Sequence, residues 1–96
     1  MPFAIVLAPE AVEDLRHLKA AVRVTVKDAL EAHLRHEPEK TSRSRIKRLR
    51  GLSRPQYRLR VGDIRVFYDV TEGVVEVLAI VPKSETAAWL AQFGKL

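Results

Sequence analysis

The stretch that decides the fold is QYRLRVGDIRVFYDVTEGVVEVLAIV, residues 56–81. Apolar and polar residues largely alternate along it, which is typical of strands with one buried face. Two residue pairs that favour tight turns interrupt the alternation, Gly62-Asp63 and Glu72-Gly73. Glycine supplies the backbone conformation that two-residue turns need. The stretch therefore predicts three consecutive antiparallel strands, at residues 56–61, 64–70 and 74–81.

The residues on either side predict the remaining elements. Phe3–Leu7 is short, apolar and bounded by prolines, so it predicts a strand. Two apolar stripes at helical spacing follow and meet near residues 19–21: Val12, Leu15, Leu18, and then Val22, Val26, Leu30, Leu34. A further extended segment begins at Arg45, and Ser84 is placed to cap a short helix. We expect an α+β fold in which the N-terminal strand and the helix pair pack on one face of a mainly antiparallel four- to five-stranded sheet, with a short C-terminal helix.

Length and composition exclude several classes of protein. The 96 residues predict a single domain over residues 1–96, and the absence of cysteine excludes disulfides and thiolate sites and fits a reducing compartment. The longest uncharged runs are nine residues, too short to span a bilayer, and no signal peptide is evident, so we expect a cytoplasmic protein. His33 and His36 are spaced as a metal pair, but only Glu37 is near them, so we expect no metal and no other cofactor.

Positive charge is concentrated in one window of the chain. The net charge is +5, and nine of the seventeen lysines and arginines lie between Lys40 and Arg60, where no acidic residue occurs. The rest of the chain carries eight cations against twelve anions. A basic block on an otherwise acidic domain indicates a polyanionic target, either nucleic acid or an acidic partner chain. The alternative is an arginine-rich loop that is merely solvated.

The predicted register collects arginines on one face of the sheet. In an antiparallel hairpin closed by a two-residue turn, the residue numbers of directly opposed residues always add up to the same value. This rule pairs Arg60 with Arg65 and Arg58 with Phe67 in the first hairpin, and Phe67 with Leu78 and Arg65 with Ile80 in the second. Directly opposed arginines repel each other, so the cluster favours an anion above it, and guanidinium groups suit phosphate oxygens. Phe67 would add a ring on which a base can stack. The alternative is that Asp63, Asp69 or a C-terminal carboxylate neutralises the cluster and Phe67 only covers the sheet.

Two runs of the sequence belong together as a motif: Lys47-Arg48-Leu49-Arg50-Gly51-Leu52 and Tyr57-Arg58-Leu59-Arg60-Val61-Gly62-Asp63-Ile64-Arg65-Val66-Phe67-Tyr68-Asp69-Val70. They resemble the RelE/ParE superfamily of bacterial toxins, and the RelE branch most closely. The resemblance covers nearly the whole chain. It implies the toxin of a type II toxin–antitoxin pair whose partners are a cognate antitoxin, the ribosome and mRNA. Toxins of the RelE branch cut mRNA in the ribosomal A site without a metal, through attack by the 2′-hydroxyl on the neighbouring phosphate.

The resemblance also implies a set of site residues. The family's strand cations fall on Arg58 and Arg60, where its best-known members carry lysine, and its transition-state arginine falls on Arg65. Ser84 and Leu90 replace the family's next arginine and its tyrosine, and Lys83 is the neighbouring cation. The candidate catalytic residues are therefore Arg58, Arg60, Arg65 and Lys83, and the candidate RNA-binding residues are Lys47, Arg48, Arg50 and Phe67.

Two other functions stay open at this point. A ParE-type toxin would inhibit DNA gyrase without nuclease chemistry, and a module on the same scaffold would bind RNA or the ribosome without catalysis. In each toxin interpretation an antitoxin covers the toxin. We expect Phe67, Leu78 and Ile80 to be exposed beside the arginines, where they would suit an acidic antitoxin segment.

Overall fold

Five strands and three α-helices make up the protein, and the computed structural model describes all 96 residues. The elements, in chain order, are β1 (Ala4–Leu7), α1 (Pro9–Arg16), α2 (Ala20–Leu34), β2 (Ile46–Arg48), β3 (Tyr57–Val61), β4 (Ile64–Thr71), β5 (Val74–Pro82), a 3-10 turn (Lys83–Glu85) and α3 (Thr86–Phe93). The strands form one sheet in the order β1-β5-β4-β3-β2. Only β1 and β5 are parallel, which confirms the predicted α+β fold with a mainly antiparallel sheet.

Both predicted turns are two residues long. Gly62 and Gly73 have φ of 57° and 73°, a conformation that favours glycine. The register between β3 and β4 is the predicted one, with Arg60 opposite Arg65 and Arg58 opposite Phe67. The three arginines therefore share one face of the sheet, because side chains alternate between faces along each strand.

The register between β4 and β5 shifts by one residue between Phe67 and Tyr68. The observed pairs around the shift are Tyr68 with Val77, Phe67 with Ala79, Val66 with Ile80, and Arg65 with Val81. The predicted pairs Phe67–Leu78 and Arg65–Ile80 are therefore wrong, because Leu78 is an extra residue in β5 that a count from the turn does not include. A one-residue shift moves the following side chains to the other face, and Ile80 joins the core against the helices.

The helices α1 and α2 cover one face of the sheet. Ala11 of α1 and Val26, Leu30 and Leu34 of α2 are buried in one cluster with Leu59 and other inward-facing residues of the strands. This arrangement confirms the predicted packing of the helix pair. It leaves the opposite face of the sheet free of α1 and α2. No helix of the protein combines the length and the apolar character needed to cross a membrane.

The helix α3 covers part of that opposite face. Trp89 of α3 stacks on Phe67, with ring centroids 4.9 Å apart and planes 5° apart. Phe67 is 1% exposed, Leu78 8% and Ile80 2%. The expectation that these three side chains are exposed is wrong. Trp89 of α3 packs on Phe67, Leu78 faces a cavity that it lines together with Trp89 and Phe93 of α3, and the bulge in β5 turns Ile80 inward.

Ser84 does not cap α3 as predicted. It lies inside the 3-10 turn, and the residue before α3 is Glu85, which makes no side-chain capping hydrogen bond. The 3-10 turn lies between β5 and the helix, so α3 begins at Thr86, one residue later than a cap at Ser84 requires.

Asp14 of α1 anchors the bulged part of β5. Its Oδ2 accepts a hydrogen bond from the backbone N–H of Ile80 at 2.9 Å. Asp14→Ala removes this acceptor, and we expect the free energy of unfolding to fall by about 1–3 kcal/mol in urea denaturation, because a partly buried donor loses its partner. Asp14→Asn keeps an acceptor oxygen and should remain close to the wild type. Equal losses in both variants would contradict a role for this hydrogen bond.

Candidate functional site

The part of the sheet face that α3 leaves open forms a concavity of about 450 Å³ that no apolar residue lines. Its six cations are Arg43, Lys47, Arg58, Arg60, Arg65 and Lys83, and its one carboxylate is Asp63. We refer to it as the cationic concavity. It contains all four candidate catalytic residues and one of the candidate RNA-binding residues, Lys47.

Strand pairing brings most of these cations together. Arg58 and Arg60 are two residues apart in β3 and therefore point to the same side. Arg65 lies opposite Arg60 in β4, and Lys47 lies opposite Arg58 in β2. The cations thus come from three adjacent strands and converge because each occupies an outward position in the same register.

A backbone hydrogen bond brings in Lys83. Its N–H donates to the carbonyl of Asp63 at 2.7 Å, which holds the 3-10 turn against the turn between β3 and β4. Ser84 follows it and lies beside a neighbouring shallow cavity. Leu90, on α3, packs against the Phe67 cluster instead. Ser84 and Leu90 therefore have different surroundings, and neither lines the concavity.

The six cations have no acidic partner. None of them takes part in an ion pair within 4 Å, and Asp63 forms none either. Asp69 pairs with Arg54 at 3.3 Å. Neutralisation of the cluster by Asp63, Asp69 or a C-terminal carboxylate, the alternative that the sequence left open, is therefore not observed.

Arg65 is held mainly by backbone carbonyl groups. It is 7% exposed, and its Nη1 donates to the carbonyl oxygens of Gly62 at 2.7 Å and Ile64 at 3.1 Å. These bonds orient the guanidinium without neutralising it. The charge beneath the concavity is therefore fixed in position and available to an anion.

Arg58 has one buried polar atom with no partner. Its Nη2 donates to the carbonyl of Ser44 at 3.2 Å, but its buried Nε makes no hydrogen bond. Burial lowers the pKa of Arg58, and the like charges of Arg65 and Arg60 lower this pKa further. An anion in the concavity would relieve both effects, since it favours the charged form of the guanidinium.

Three candidate RNA-binding residues lie outside the concavity. Arg48 is on the other face, where its guanidinium carbon is 5.2 Å from the ring centroid of Tyr57 and its Nη1 donates to the carbonyl of Gln56 at 2.8 Å. Arg50 is exposed beyond the end of β2 and does not line the concavity. Phe67 lies beneath Trp89, so the expected open ring face is not present.

Arg43 is a member of the site that the residue pattern did not single out. It lies in the loop before β2 and lines the concavity. The only signal for it in the sequence is its place within the basic window from Lys40 to Arg60, because loop residues carry no strand register from which a face can be predicted.

The concavity can hold an anion, but it offers few groups that exchange protons. No histidine or tyrosine lines it. His33 and His36 line another cleft, beyond the end of α2, and no group of three histidine, aspartate or glutamate side chains in the protein is arranged to hold a metal ion. Fold and site together define a small α+β protein whose uncovered sheet face presents fixed, unpaired positive charge.

The chain matches the family model described as ParE toxin of type II toxin-antitoxin system, parDE, over residues 5–87. It belongs to this family of toxins, which confirms the resemblance to the RelE/ParE superfamily. No curated protein matches the chain.

Solved structures of RelE toxins have the same fold. The chain is similar to the toxin–antitoxin complex RelBE2 from Mycobacterium tuberculosis, with 21% identity, a TM-score of 0.74, and coverage of 85% of this chain and 99% of that one. It is also similar to the archaeal RelE–RelB complex from Pyrococcus horikoshii, with 26% identity, a TM-score of 0.71, and coverage of 86% of this chain and 97% of that one. A mutant of the E. coli toxin RelE in the free state is similar with 22% identity, a TM-score of 0.72, and coverage of 93% of this chain and 92% of that one.

Proposed function

We propose that this toxin cuts mRNA on the ribosome and that the cationic concavity is its active site. A 2′-hydroxyl loses its proton and bonds to the neighbouring phosphorus, the bond from phosphorus to the 5′-oxygen breaks, and the leaving 5′-oxygen takes up a proton. The observation that carries the proposal is the convergence of six cations, none of them ion-paired, on one apolar-free surface. A phosphodiester gains negative charge on its free oxygens as the 2′-oxygen attacks. Fixed donors aimed at that charge are the largest single contribution that such a site can make.

The three arginines have distinct parts in this proposal. Arg65, fixed by backbone carbonyls beneath the surface, stabilises the developing charge on the phosphate. Arg58 offers its unpartnered Nε as a further donor. Arg60 is exposed at the edge of the concavity and contacts the incoming strand. Guanidinium forks suit phosphate oxygens, which accept two parallel hydrogen bonds.

The proposed site has fewer groups suited to proton transfer than groups suited to charge stabilisation. Guanidinium groups keep their proton near neutral pH, so Arg58 and Arg60 act as charges and not as bases. The remaining groups in the concavity that can exchange a proton are the amines of Lys47 and Lys83 and the carboxylate of Asp63. We therefore propose that catalysis rests mainly on positioning and on charge stabilisation, with Lys83 as the additional cation.

The proposed partner is a cognate antitoxin. Two of the similar structures are toxin–antitoxin complexes, and the family is one of type II toxins. The net charge of +5 favours fast capture of an acidic chain. An antitoxin that covers the concavity would compete directly with RNA.

Gyrase inhibition without nuclease activity is the second candidate function. Two observations favour it: the matching family is that of ParE toxins, and no histidine or tyrosine lines the concavity. In this case the same cations would contact the target protein or its DNA, and no RNA would be cut.

Induction of the toxin in bacterial cells separates the candidates. We expect protein synthesis, followed as labelled methionine incorporation, to fall rapidly, with mRNA ends inside codons. Arg60→Ala should weaken both effects, since Arg60 is exposed and its loss removes charge without opening the core. Arg16→Ala removes the same charge from the exposed face of α1 and is the matched control.

Two other outcomes would contradict the nuclease proposal. Filamentation and DNA damage with intact mRNA would indicate gyrase inhibition. Harmless expression of the folded protein would leave the non-catalytic RNA-binding module as the remaining interpretation.

A further inference from the structure

The cationic concavity continues around the β2 edge of the sheet. A second cavity of about 240 Å³ is lined by Ser44, Arg45, Arg60 and Gly62, and all of these except Arg45 also line the concavity. A third cavity of about 280 Å³ contains Arg45 again, together with His33 and His36 at the end of α2. Because neighbouring cavities share lining residues, we refer to the three together as the trough, with Arg45 at the joint between the second and the third.

Arg45 is held at this joint by its backbone. Its N–H donates to Oγ of Ser42 at 2.9 Å, and its carbonyl accepts from the N–H of Arg60 at 2.8 Å. Its guanidinium makes no ion pair and no hydrogen bond within the protein. The charge at the joint is therefore as free as the charges in the concavity.

The third cavity is also positive on balance. Its one carboxylate, Glu37, is 3.6 Å from Nζ of Lys40, so the two charges offset each other. Arg45 then remains without an opposing charge. Arg45 and His33 line this cavity together. Burial lowers the pKa of His33, and the positive charge of Arg45 lowers this pKa further.

We propose that the concavity is one end of a longer track for the sugar-phosphate backbone of single-stranded RNA, and that a second phosphate binds between Arg45 and the pair His33 and His36. The inference rests on the proposed function, because it requires an RNA strand in the concavity. The concavity and the second cavity have no apolar lining residue, and the third cavity has two, Ala32 and Ile46. The trough is therefore lined mainly by charged and polar groups, which suit the charged backbone of the strand rather than stacked bases.

The track predicts that affinity depends on the length of the RNA and on Arg45. The probes are a trinucleotide and a decanucleotide RNA with 2′-O-methyl sugars, which cannot be cleaved, and the readout is fluorescence anisotropy over a salt series. We expect Arg45→Ala to weaken binding of the decanucleotide by about tenfold, as for one charge-assisted contact. The slope of log affinity against log salt should fall by about 0.7, and the trinucleotide should bind as it does to the wild type.

Two further variants sharpen the test. A double variant, His33→Gln with His36→Gln, keeps polar side chains at the far end and should also weaken the decanucleotide alone. Arg16→Ala carries the same change in net charge outside the trough and should leave both affinities unchanged.

Each failure has a different meaning. Wild-type protein that binds both lengths equally, or Arg45→Ala protein that loses affinity for both or for neither, would overturn the track while leaving the concavity as an RNA site. If neither RNA binds to the wild type at any salt concentration, the track is overturned, whereas the proposed function fails only if induction in cells leaves mRNA uncut.

Discussion

Arg65→Ala is expected to lower the rate of RNA cleavage about 10²- to 10³-fold, the usual consequence of removing one fixed donor from a site where negative charge develops. Arg65 is the most buried cation of the concavity at 7% exposure, and two backbone carbonyls hold it in place. A charge that is already oriented costs nothing to reorganise during the reaction. Its loss should therefore reduce the rate constant for cleavage more than it reduces the affinity for RNA.

The measurement is single-turnover cleavage of mRNA on stalled ribosomes, together with binding of the same complex. Arg65→Lys is the informative second variant, because it keeps the positive charge but loses the planar fork. We expect its rate to lie between those of the wild type and Arg65→Ala. Arg65 also bonds to the carbonyls of Gly62 and Ile64, so circular dichroism must show that each variant is folded at the assay temperature. A folded Arg65→Ala protein that cuts at the wild-type rate would contradict this role.

Leu59→Ala is expected to produce the largest loss of stability, about 2–5 kcal/mol. Leu59 is fully buried in the core against the helices, and it lies between Arg58 and Arg60 in β3. Removing its side chain leaves a cavity directly behind the strand that carries these two cations. The melting temperature should fall by at least about 8 °C, given about 4–8 °C per kcal/mol for a domain of this size.

Thermal and urea unfolding measure this change. Val24→Ala is the control, because Val24 is 58% exposed on α2 and its truncation should change stability by no more than about 0.5 kcal/mol. Equal losses for the two variants would contradict the position of Leu59 in the core.

The register of the β3–β4 hairpin could be predicted from the local sequence pattern alone. Its two-residue turn requires glycine at a positive φ, and its alternation has one apolar face, so the pairing of Arg60 with Arg65 followed directly from the residue numbers. In the β4–β5 hairpin, the pairs next to the turn follow the register counted from the residue numbers, and the pairs beyond Tyr68 are shifted by one residue. The bulge at Leu78 brings Ile80 into the core, where Asp14 bonds to its N–H. Asp14 is 66 residues away in the chain, and no local pattern encodes that contact.

The candidate site divides in the same way. Arg58, Arg60 and Arg65 were predictable as a cluster because strand geometry alone places them together. Phe67 shares their face and was predicted to be open, but Trp89 of α3 stacks on it. Arg48 was grouped with Lys47 by sequence, yet neighbouring strand residues point to opposite faces, so only Lys47 lines the concavity.

Residue patterns along the chain determine the order of the elements, which of them are helices or strands, the register of the β3–β4 hairpin, and the family. Each of these depends on neighbours within a few positions or on recognisable motifs. Packing between distant segments decides the rest: the bulge in β5, the cover of α3 over Phe67, and which members of the basic window meet in one concavity. Long-range contacts select these features, since exposed and covered positions of a strand have the same local periodicity until another element packs on one of them.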